Sequence, residues 1–356
     1  MGSIKTTLLS AMTFAGNANF FKLVGLQQFY VFPVSILLSV IYLPMMRLNY
    51  DLLKIVLMLL FVSYFLFVNI FQHMAANMLY VIWPLNCFIL GIFFAEFFKN
   101  IDSTDVRPFL ILPLIIVIGL LISGLDSRST FFFGPNVLYR IFLLFGAILF
   151  FYSKTSFFSF LGLAVMVLGA TTGSRGYVAG LFVIFLFSVL IFFRDKKFNS
   201  MSRLVFLLIS APILSFIFIK IMNDRIFFFD PASISSLSRL ETLNFVVSNW
   251  QIMFNLTGLD SFELSKYFGY GNALAYPHNF ILEAYLYYGF IGLMLTLLIL
   301  LMAFFSAKDL KQTCLLSLVV VFCSLSGDFG DNYIVYSFCF GLILNRLGHK
   351  EQKYSV

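Results

Sequence analysis

The chain has 356 residues, of which 61% are hydrophobic and only 11% charged, and its mean hydropathy is +0.98. This composition leaves too little polar surface to cover a water-soluble domain, so it excludes that class and predicts an integral membrane protein. The net charge of +7 would favour acidic partners in a soluble chain, but here most Lys and Arg lie between apolar runs, where their expected role is to set membrane topology.

The N-terminal stretch is the first apolar element. Thr6–Phe20 follows Lys5 but is interrupted by Gly16 and Asn17, and no small-residue cleavage site follows a compact apolar core. A cleavable signal peptide is therefore not expected. Two interpretations stay open for this stretch: a first membrane span or an interfacial segment.

The rest of the chain is a series of apolar runs long enough to cross a hydrocarbon layer of about 30 Å. Eleven runs are readable, near 24–43, 53–71, 78–98, 108–124, 136–152, 156–172, 177–193, 203–222, 279–304, 312–327 and 332–347. The shorter ones can be accommodated by local bilayer thinning or by burial inside the bundle. The predicted fold class is all-α: a single polytopic membrane domain over residues 1–356 with about 11–12 transmembrane helices.

Basic residues cluster in alternate connections between the runs, which marks that side of the membrane as cytoplasmic. They are Arg47, Lys54, Lys99, Arg107, Lys154, Arg194, Lys196, Lys197, Arg203, Lys308, Lys311, Arg346, Lys350 and Lys353. The connection 223–278 then lies outside as one large periplasmic loop, and a loop of about fifty residues is more often functional than idle. No internal repeat is visible, which weakens an interpretation as a repeat-built transporter.

Three spans begin at the outer face with polar entries. Gly134-Pro135-Asn136 opens the fifth run, and Arg140 follows one helical turn later on the same face. Gly173-Ser174-Arg175-Gly176 opens the seventh run, and Tyr276-Pro277-His278-Asn279 opens the ninth. The positive dipole ends of these helices point the same way, toward a place where an anion would be stabilised.

Arginines accompany these entries and also occur in the large loop. A charge buried near a membrane boundary costs on the order of 3 kcal/mol or more, so a cluster of charges favours a matching polyanion. Pyrophosphate fits, because the planar fork of arginine can hold two phosphate oxygens at once. The arginines concerned are Arg128, Arg140, Arg175, Arg225 and Arg239.

Each candidate has a plainer interpretation that stays open. Arg175 could be an interfacial residue that fixes the depth of its helix, and Arg239 could be a solvated loop charge paired with Glu241. His278 could simply flank its helix. Seven carboxylates on the outer side could serve as a base or hold sugar hydroxyls, and the sequence does not choose among them. They are Asp224, Asp230, Glu241, Asp260, Glu263, Asp328 and Asp331.

These short motifs, in their order along residues 128–295, resemble the O-antigen polymerase and O-antigen ligase superfamily. The resemblance implies a polytopic glycosyltransferase of the bacterial inner membrane that uses undecaprenyl-pyrophosphate-linked glycans on the periplasmic side. No cofactor, metal or nucleotide sugar is expected. The series consists of Arg128, Gly134-Pro135-Asn136, Gly173-Ser174-Arg175-Gly176, Arg239, Trp250, Gly269-Tyr270-Gly271, His278-Asn279 and Gly289-Phe290-Ile291-Gly292.

The resemblance implies catalytic roles for Arg175, Arg239 and His278. The two arginines would hold the donor pyrophosphate, and the histidine would lie near the acceptor hydroxyl or the leaving group, where its uncharged form can accept a proton. Gly289 and Gly292 are expected to permit close contact between helices. Substrate-binding roles are expected for Arg128, Asn136, Arg140, Arg225 and Asn279.

The predicted function is that of an O-antigen polymerase in the inner membrane of a Gram-negative bacterium, with its active site facing the periplasm. Donor and acceptor would both be undecaprenyl-pyrophosphate-linked oligosaccharides. The expected partners are the lipid bilayer and a chain-length regulator protein, and no nucleic acid. Two alternatives are an O-antigen ligase that transfers glycan to the lipid A core and a lipid-linked oligosaccharide transporter. The transporter would be expected to carry charged residues deep in its spans rather than at one rim.

Overall fold

The computed structural model describes residues 52–73, 79–102, 105–123, 135–172, 175–194, 244, 246–250, 254–260, 279–325 and 329–345. The described part of the chain is helical and contains no strand. Its helices are α1 (Leu52–Val68), α2 (Leu79–Asn100), α3 (Ile111–Ser123), α4 (Pro135–Tyr152), α5 (Ser156–Leu168), α6 (Arg175–Arg194), α7 (Phe280–Ser306), α8 (Leu310–Leu325) and α9 (Phe329–Asn345). A π-helical turn, Asn69–His73, extends α1, while 3₁₀ turns at Arg107–Leu110 and Gly169–Thr172 adjoin α3 and α5.

These helices coincide with nine of the eleven predicted apolar runs, and their ends fall within about three residues of the predicted ends. The runs near 24–43 and 203–222, together with the Thr6–Phe20 stretch, lie outside the described residues. The all-helical part of the fold prediction is therefore confirmed for the part of the chain that the structure describes.

Two of the described helices are long and apolar enough to cross a membrane, Leu52–Gln72 and Phe280–Ser306. The other apolar helices are shorter. A hydrocarbon layer of about 30 Å requires about 20 residues of straight helix, so length alone does not establish that each short helix crosses. The polytopic arrangement remains a prediction.

The last helix, α9, is the centre of the bundle. Every residue from 334 to 345 is buried, and α9 packs against α1, α2, α7 and α8. Its closest neighbour is α2, because glycines on both helices remove the side chains that would separate them: Gly91 lies against Phe340, and Gly341 lies against Phe94. Small residues allow membrane helices this kind of close approach.

Basic residues that were predicted to share one side of the membrane lie together at one end of the bundle. Lys54, at the start of α1, donates from Nζ to the carbonyl oxygen of Ile343, near the end of α9, at 2.9 Å. Lys311, at the start of α8, lies 5.2 Å from the ring centroid of Tyr152, at the end of α4. Lys308 is close enough to Lys99 to interact with it electrostatically. The predicted alternation of the connections agrees with this arrangement.

Candidate active site

The C-terminal end of α8 receives hydrogen bonds from two side chains of other elements. Arg140, in the second turn of α4, is buried, and its Nη2 donates to the carbonyl oxygen of Phe322 at 3.2 Å. Asn279, directly before α7, donates from Nδ2 to the carbonyl oxygen of Ser324 at 3.2 Å. The last four carbonyls of a helix have no partner within the helix, and a cation at this end complements the helix dipole. Arg140 and Asn279 therefore stabilise the end of α8.

The first turn of α6 lies in the same region. Gly176 contacts the ring and hydroxyl of Tyr139 in α4 so closely that a Cβ at this position would have no room. The Tyr139 ring packs edge-on against Phe322, with the ring centroids 5.4 Å apart. The N-terminal ends of α4, α6 and α7 thus lie around one end of α8. Three positive helix-dipole ends are brought into one region, as the sequence pattern predicts.

Asn279 also begins α7. Its backbone is extended, and its Oδ1 accepts from the backbone N–H groups of Ile281 at 3.0 Å and Leu282 at 3.1 Å. Asparagine is preferred at this position because its short side chain satisfies N–H groups that have no partner in the first turn. The described contacts of Asn279 are thus structural, at the start of α7 and the end of α8, and a contact with substrate stays a prediction.

Of the other predicted site residues, the structure describes the positions of only two. Arg175 is the first residue of α6, and Asn136 is the second residue of α4. Both therefore occupy the first turn of helices that begin in the region described above. Their predicted contacts with substrate stay predictions, and the remaining site residues lie outside the described residues. These are Arg128, Arg225, Arg239 and His278.

Glu283 is a candidate that the sequence interpretation missed. It lies in the first turns of α7, is fully buried, and its backbone N–H donates to the carbonyl oxygen of Asn279 at 2.9 Å. Its carboxylate is close enough to Tyr336 of α9 to interact electrostatically with that hydroxyl. The signal was present in the sequence, since Glu283 is the only charged residue in the apolar run 279–304. An ionisable residue inside such a run is a functional candidate by default.

A break in α7 separates its N-terminal part from the rest of the helix. At Gly289 the backbone has φ 67° and ψ −165°, a conformation that residues with a side chain rarely adopt. The helix bends there: the Phe280 ring packs 6.2 Å from the Tyr336 ring, while the Thr296 hydroxyl lies 3.2 Å from the Tyr336 hydroxyl. In a straight helix Phe280 and Thr296 would be about 24 Å apart, too far to reach one tyrosine.

Residues 254–260 of the large loop fill the break, and we name this segment the loop clasp. The N–H groups of Phe290 and Ile291 have lost their helical acceptors. They donate instead to the carbonyl oxygens of Asn255 at 2.9 Å and Leu256 at 3.2 Å. In return, the N–H of Leu259 donates to the carbonyl oxygen of Leu286 at 2.9 Å. Irregular backbone is tolerated in a membrane protein where protein buries it and satisfies its polar groups, and the loop clasp does both.

Two glycines allow the loop clasp and α7 to touch through their backbones. Gly258 has φ +90° and lies against the carbonyl of Tyr287, and Gly289 lies against the backbone of Gly258 and Asn255. Gly289 was expected to permit close contact with another helix, but the segment that it contacts is a loop. Gly292 lies against Tyr288 of its own helix, across the break.

A buried polar network ties the break to α1 and α2. The Tyr288 hydroxyl donates to Oδ1 of Asn69 at 2.8 Å and accepts from Nε1 of Trp83 at 3.0 Å. The Tyr64 hydroxyl donates to the carbonyl oxygen of Tyr288 at 2.6 Å. Gln72 reaches the loop clasp itself, donating from Nε2 to the Thr257 hydroxyl at 3.2 Å. These hydrogen bonds fix the break in α7 against α1 and α2.

The described residues bring together no group of three or more His, Cys, Asp or Glu side chains suited to a metal ion. The four cysteines, Cys87, Cys314, Cys323 and Cys339, are buried, and none forms a disulfide. Comparison with known protein families, with curated proteins and with solved structures finds no match for this chain.

Proposed function

We propose that this chain is an O-antigen polymerase: a multi-pass glycosyltransferase of the Gram-negative inner membrane with about 11–12 spans and its active site at the periplasmic face. The ordered series of motifs described above supports the family. The main support for the location of the site is that three helix N-termini meet at one end of α8. An anion is stabilised where such ends converge, and a lipid pyrophosphate is the anion of the proposed donor.

The loop clasp supports a site at this end of the bundle. It holds residues 254–260 against the N-terminal half of α7, and Asn279 holds the other end of the loop at the start of the same helix. The loop connection that carries His278 therefore begins and ends on the N-terminal half of α7. Arg175 begins α6, whose first turn contacts α4 at the same end of α8, so donor and acceptor groups would meet at that end.

In the proposed reaction, the hydroxyl oxygen of the acceptor sugar attacks the anomeric carbon of the donor glycan. The bond from that carbon to the pyrophosphate oxygen breaks, and its electron pair leaves with undecaprenyl pyrophosphate. The hydroxyl proton passes to His278 in its uncharged form. Arg175 and Arg239 stabilise the negative charge that develops on the departing pyrophosphate, an effect that is strongest where the donors are already in place.

Deletion of the gene in its own cell tests this function and separates it from the two alternatives. Loss of a polymerase leaves lipopolysaccharide whose core carries a single repeat unit, since a separate ligase still transfers unpolymerised units. Loss of a ligase leaves bare core and polymer on the prenyl carrier. Loss of a transporter traps repeat units on the cytoplasmic leaflet. One gel of lipopolysaccharide and one extraction of carrier-linked glycan distinguish the three, and bare core would overturn the proposal.

A further inference from the structure

The loop clasp has the opposite polarity to a loop that faces water. The apolar side chains of Phe254 and Leu256 are 50% and 56% exposed. The polar residues that alternate with them, Asn255 and Thr257, are partly buried. Oδ1 of Asn255 accepts from the backbone N–H of Thr257 at 3.1 Å, and the Thr257 hydroxyl accepts from Nε2 of Gln72 at 3.2 Å. In water, polar side chains lie mostly outside, so this segment suits apolar surroundings.

The exposed side chains of the loop clasp continue an apolar surface of α7. The Phe254 ring lies 5.6 Å from the ring of Phe290, measured between centroids, and Phe290 is the first residue after the break. From there to the end of α7, every exposed residue is apolar, and these residues recur at helical spacing as one stripe. They are Phe290, Ile291, Met294, Leu297, Leu298, Leu301, Phe304 and Phe305. On a helix that is apolar enough to cross a membrane, such a stripe faces lipid.

The contacts of Tyr64 locate the loop clasp along α1. Tyr64 lies ten residues after Lys54, which is about 15 Å of helix and about half of a hydrocarbon layer of about 30 Å. Lys54 belongs to the end of the bundle where the basic residues lie. The Tyr64 hydroxyl is 2.6 Å from the carbonyl oxygen of Tyr288 and 3.2 Å from that of Leu256. Leu256 is therefore only one tyrosine side chain away from the middle of the layer.

The N-terminal half of α7, residues 280–288, does not continue the crossing. Because Phe280 and Thr296 both reach Tyr336, the part before the break bends away from the axis of the part after it. No residue of 280–288 is exposed, so this half packs within the protein. Residues 290–306 alone measure about 25 Å, which is less than a layer of about 30 Å. The break and the loop clasp therefore lie inside the layer by this measure too.

We propose that the loop clasp is a re-entrant segment: it enters the outer leaflet, where Phe254 and Leu256 contact the acyl chains of membrane lipids. Irregular backbone is tolerated at that depth where protein satisfies its polar groups. The carbonyl oxygens of Asn255 and Leu256 accept from α7, and the N–H of Leu259 donates to it. The connection 223–278 thus returns to the membrane before α7 begins. The proposal depends on membrane embedding and not on glycosyltransferase activity.

Spin labels on single cysteines measure contact with lipid and with water. Purified full-length protein in phosphatidylcholine vesicles carries one label at a time, at Phe254→Cys or at Leu256→Cys. The two collision reagents are oxygen, which concentrates in hydrocarbon, and a water-soluble nickel chelate. Met294→Cys is the matched control for a lipid-facing position, and Thr155→Cys, exposed at the basic end of the bundle, is the control for water. Labelling of the unsubstituted chain measures the background from the four buried cysteines.

We expect the ratio of oxygen to nickel collisions at both loop-clasp positions to match that at Met294 and to exceed that at Thr155 at least about fivefold. A ratio like that at Thr155 would place the segment in water and overturn the proposal. Infrequent collisions with both reagents would show that protein covers the segment, as in a dimer, and would overturn it as well. Gel filtration identifies a variant that fails to fold, and the other position then decides. Because polymer synthesis is not measured, the proposed function is tested separately.

Discussion

Gly258 of the loop clasp and Gly289 of α7 lie against each other, backbone to backbone, and both have positive φ. Neither position has room for a Cβ, and neither backbone conformation suits a residue that has one. The contact joins the large loop to the point where α7 is broken. The geometry of the loop beside the candidate active site therefore depends on two glycines about thirty residues apart in the chain.

Gly289→Ala should destabilise the protein and release the loop clasp. The substitution adds strain of about 1–3 kcal/mol at a positive φ, together with a clash against the Asn255 carbonyl. We expect a lower thermal unfolding midpoint and faster proteolysis within residues 244–260. Gly180→Ala is the control, since Gly180 is surrounded by side chains that can shift. Equal unfolding midpoints and equal proteolysis rates for the two variants would contradict the proposal that the break at Gly289 holds the loop clasp.

Arg140→Met should also lower stability, because it removes the hydrogen bond and the positive charge that reach the C-terminal end of α8. A hydrogen bond from a charged donor contributes about 1.5–3 kcal/mol. Arg107→Met at the other end is the comparison: its pair with Asp105 is exposed, and exposed pairs contribute little. Thermal unfolding in one detergent should show a clear loss for Arg140→Met and almost none for Arg107→Met. A larger loss of stability for Arg107→Met than for Arg140→Met would contradict the role of Arg140 in stabilising α8.

The positions of the helices could be predicted from the sequence, whereas the break in α7 could not. Long apolar runs without turn signals favour helices, so α9 and α2 lie where hydropathy places them. The break depends on carbonyls of Asn255 and Leu256, far away in the chain, that replace lost helical acceptors. No local sequence pattern predicts such distant acceptors, and the hydropathy of the run 279–304 shows no interruption. Glu283 differs from the break, because its signal is local: it is the one charged residue of the apolar run 279–304, and the average hydropathy of the run conceals it.

Glu283→Gln tests whether the buried carboxyl group matters for the proposed reaction. The substitution keeps the size of the side chain and one acceptor oxygen, but an amide cannot ionise beside Tyr336. We expect polymer synthesis to fall at least tenfold while protein level and unfolding midpoint stay near those of the wild type. Glu96→Gln, on α2 near the other end of the bundle, should leave synthesis unchanged. Normal synthesis by Glu283→Gln would assign the carboxylate a role in folding alone.

The sidedness of the loops can be measured with single cysteines. All four native cysteines are buried, so they give little background. Ser174→Cys and Ser238→Cys should react with a membrane-impermeant thiol reagent in whole cells, because both positions are predicted to be periplasmic. Thr155→Cys, at the other end of the bundle and exposed, should react only after the inner membrane is opened. The opposite labelling pattern would place these loops in the cytoplasm and would contradict a periplasmic active site.

The central claim is tested most directly by purified protein supplied with undecaprenyl-pyrophosphate-linked repeat units, extracted from cells that lack this chain. Wild-type protein should convert them into a ladder of longer glycans and release one undecaprenyl pyrophosphate per bond formed. Arg175→Lys and Arg239→Lys should each lose most of this activity although charge is kept, because an ammonium cannot hold two phosphate oxygens as a guanidinium does. His278→Ala should slow turnover while donor binding persists. A ladder made equally well by both lysine variants would contradict the pyrophosphate site, and no ladder from folded wild-type protein would contradict the polymerase itself.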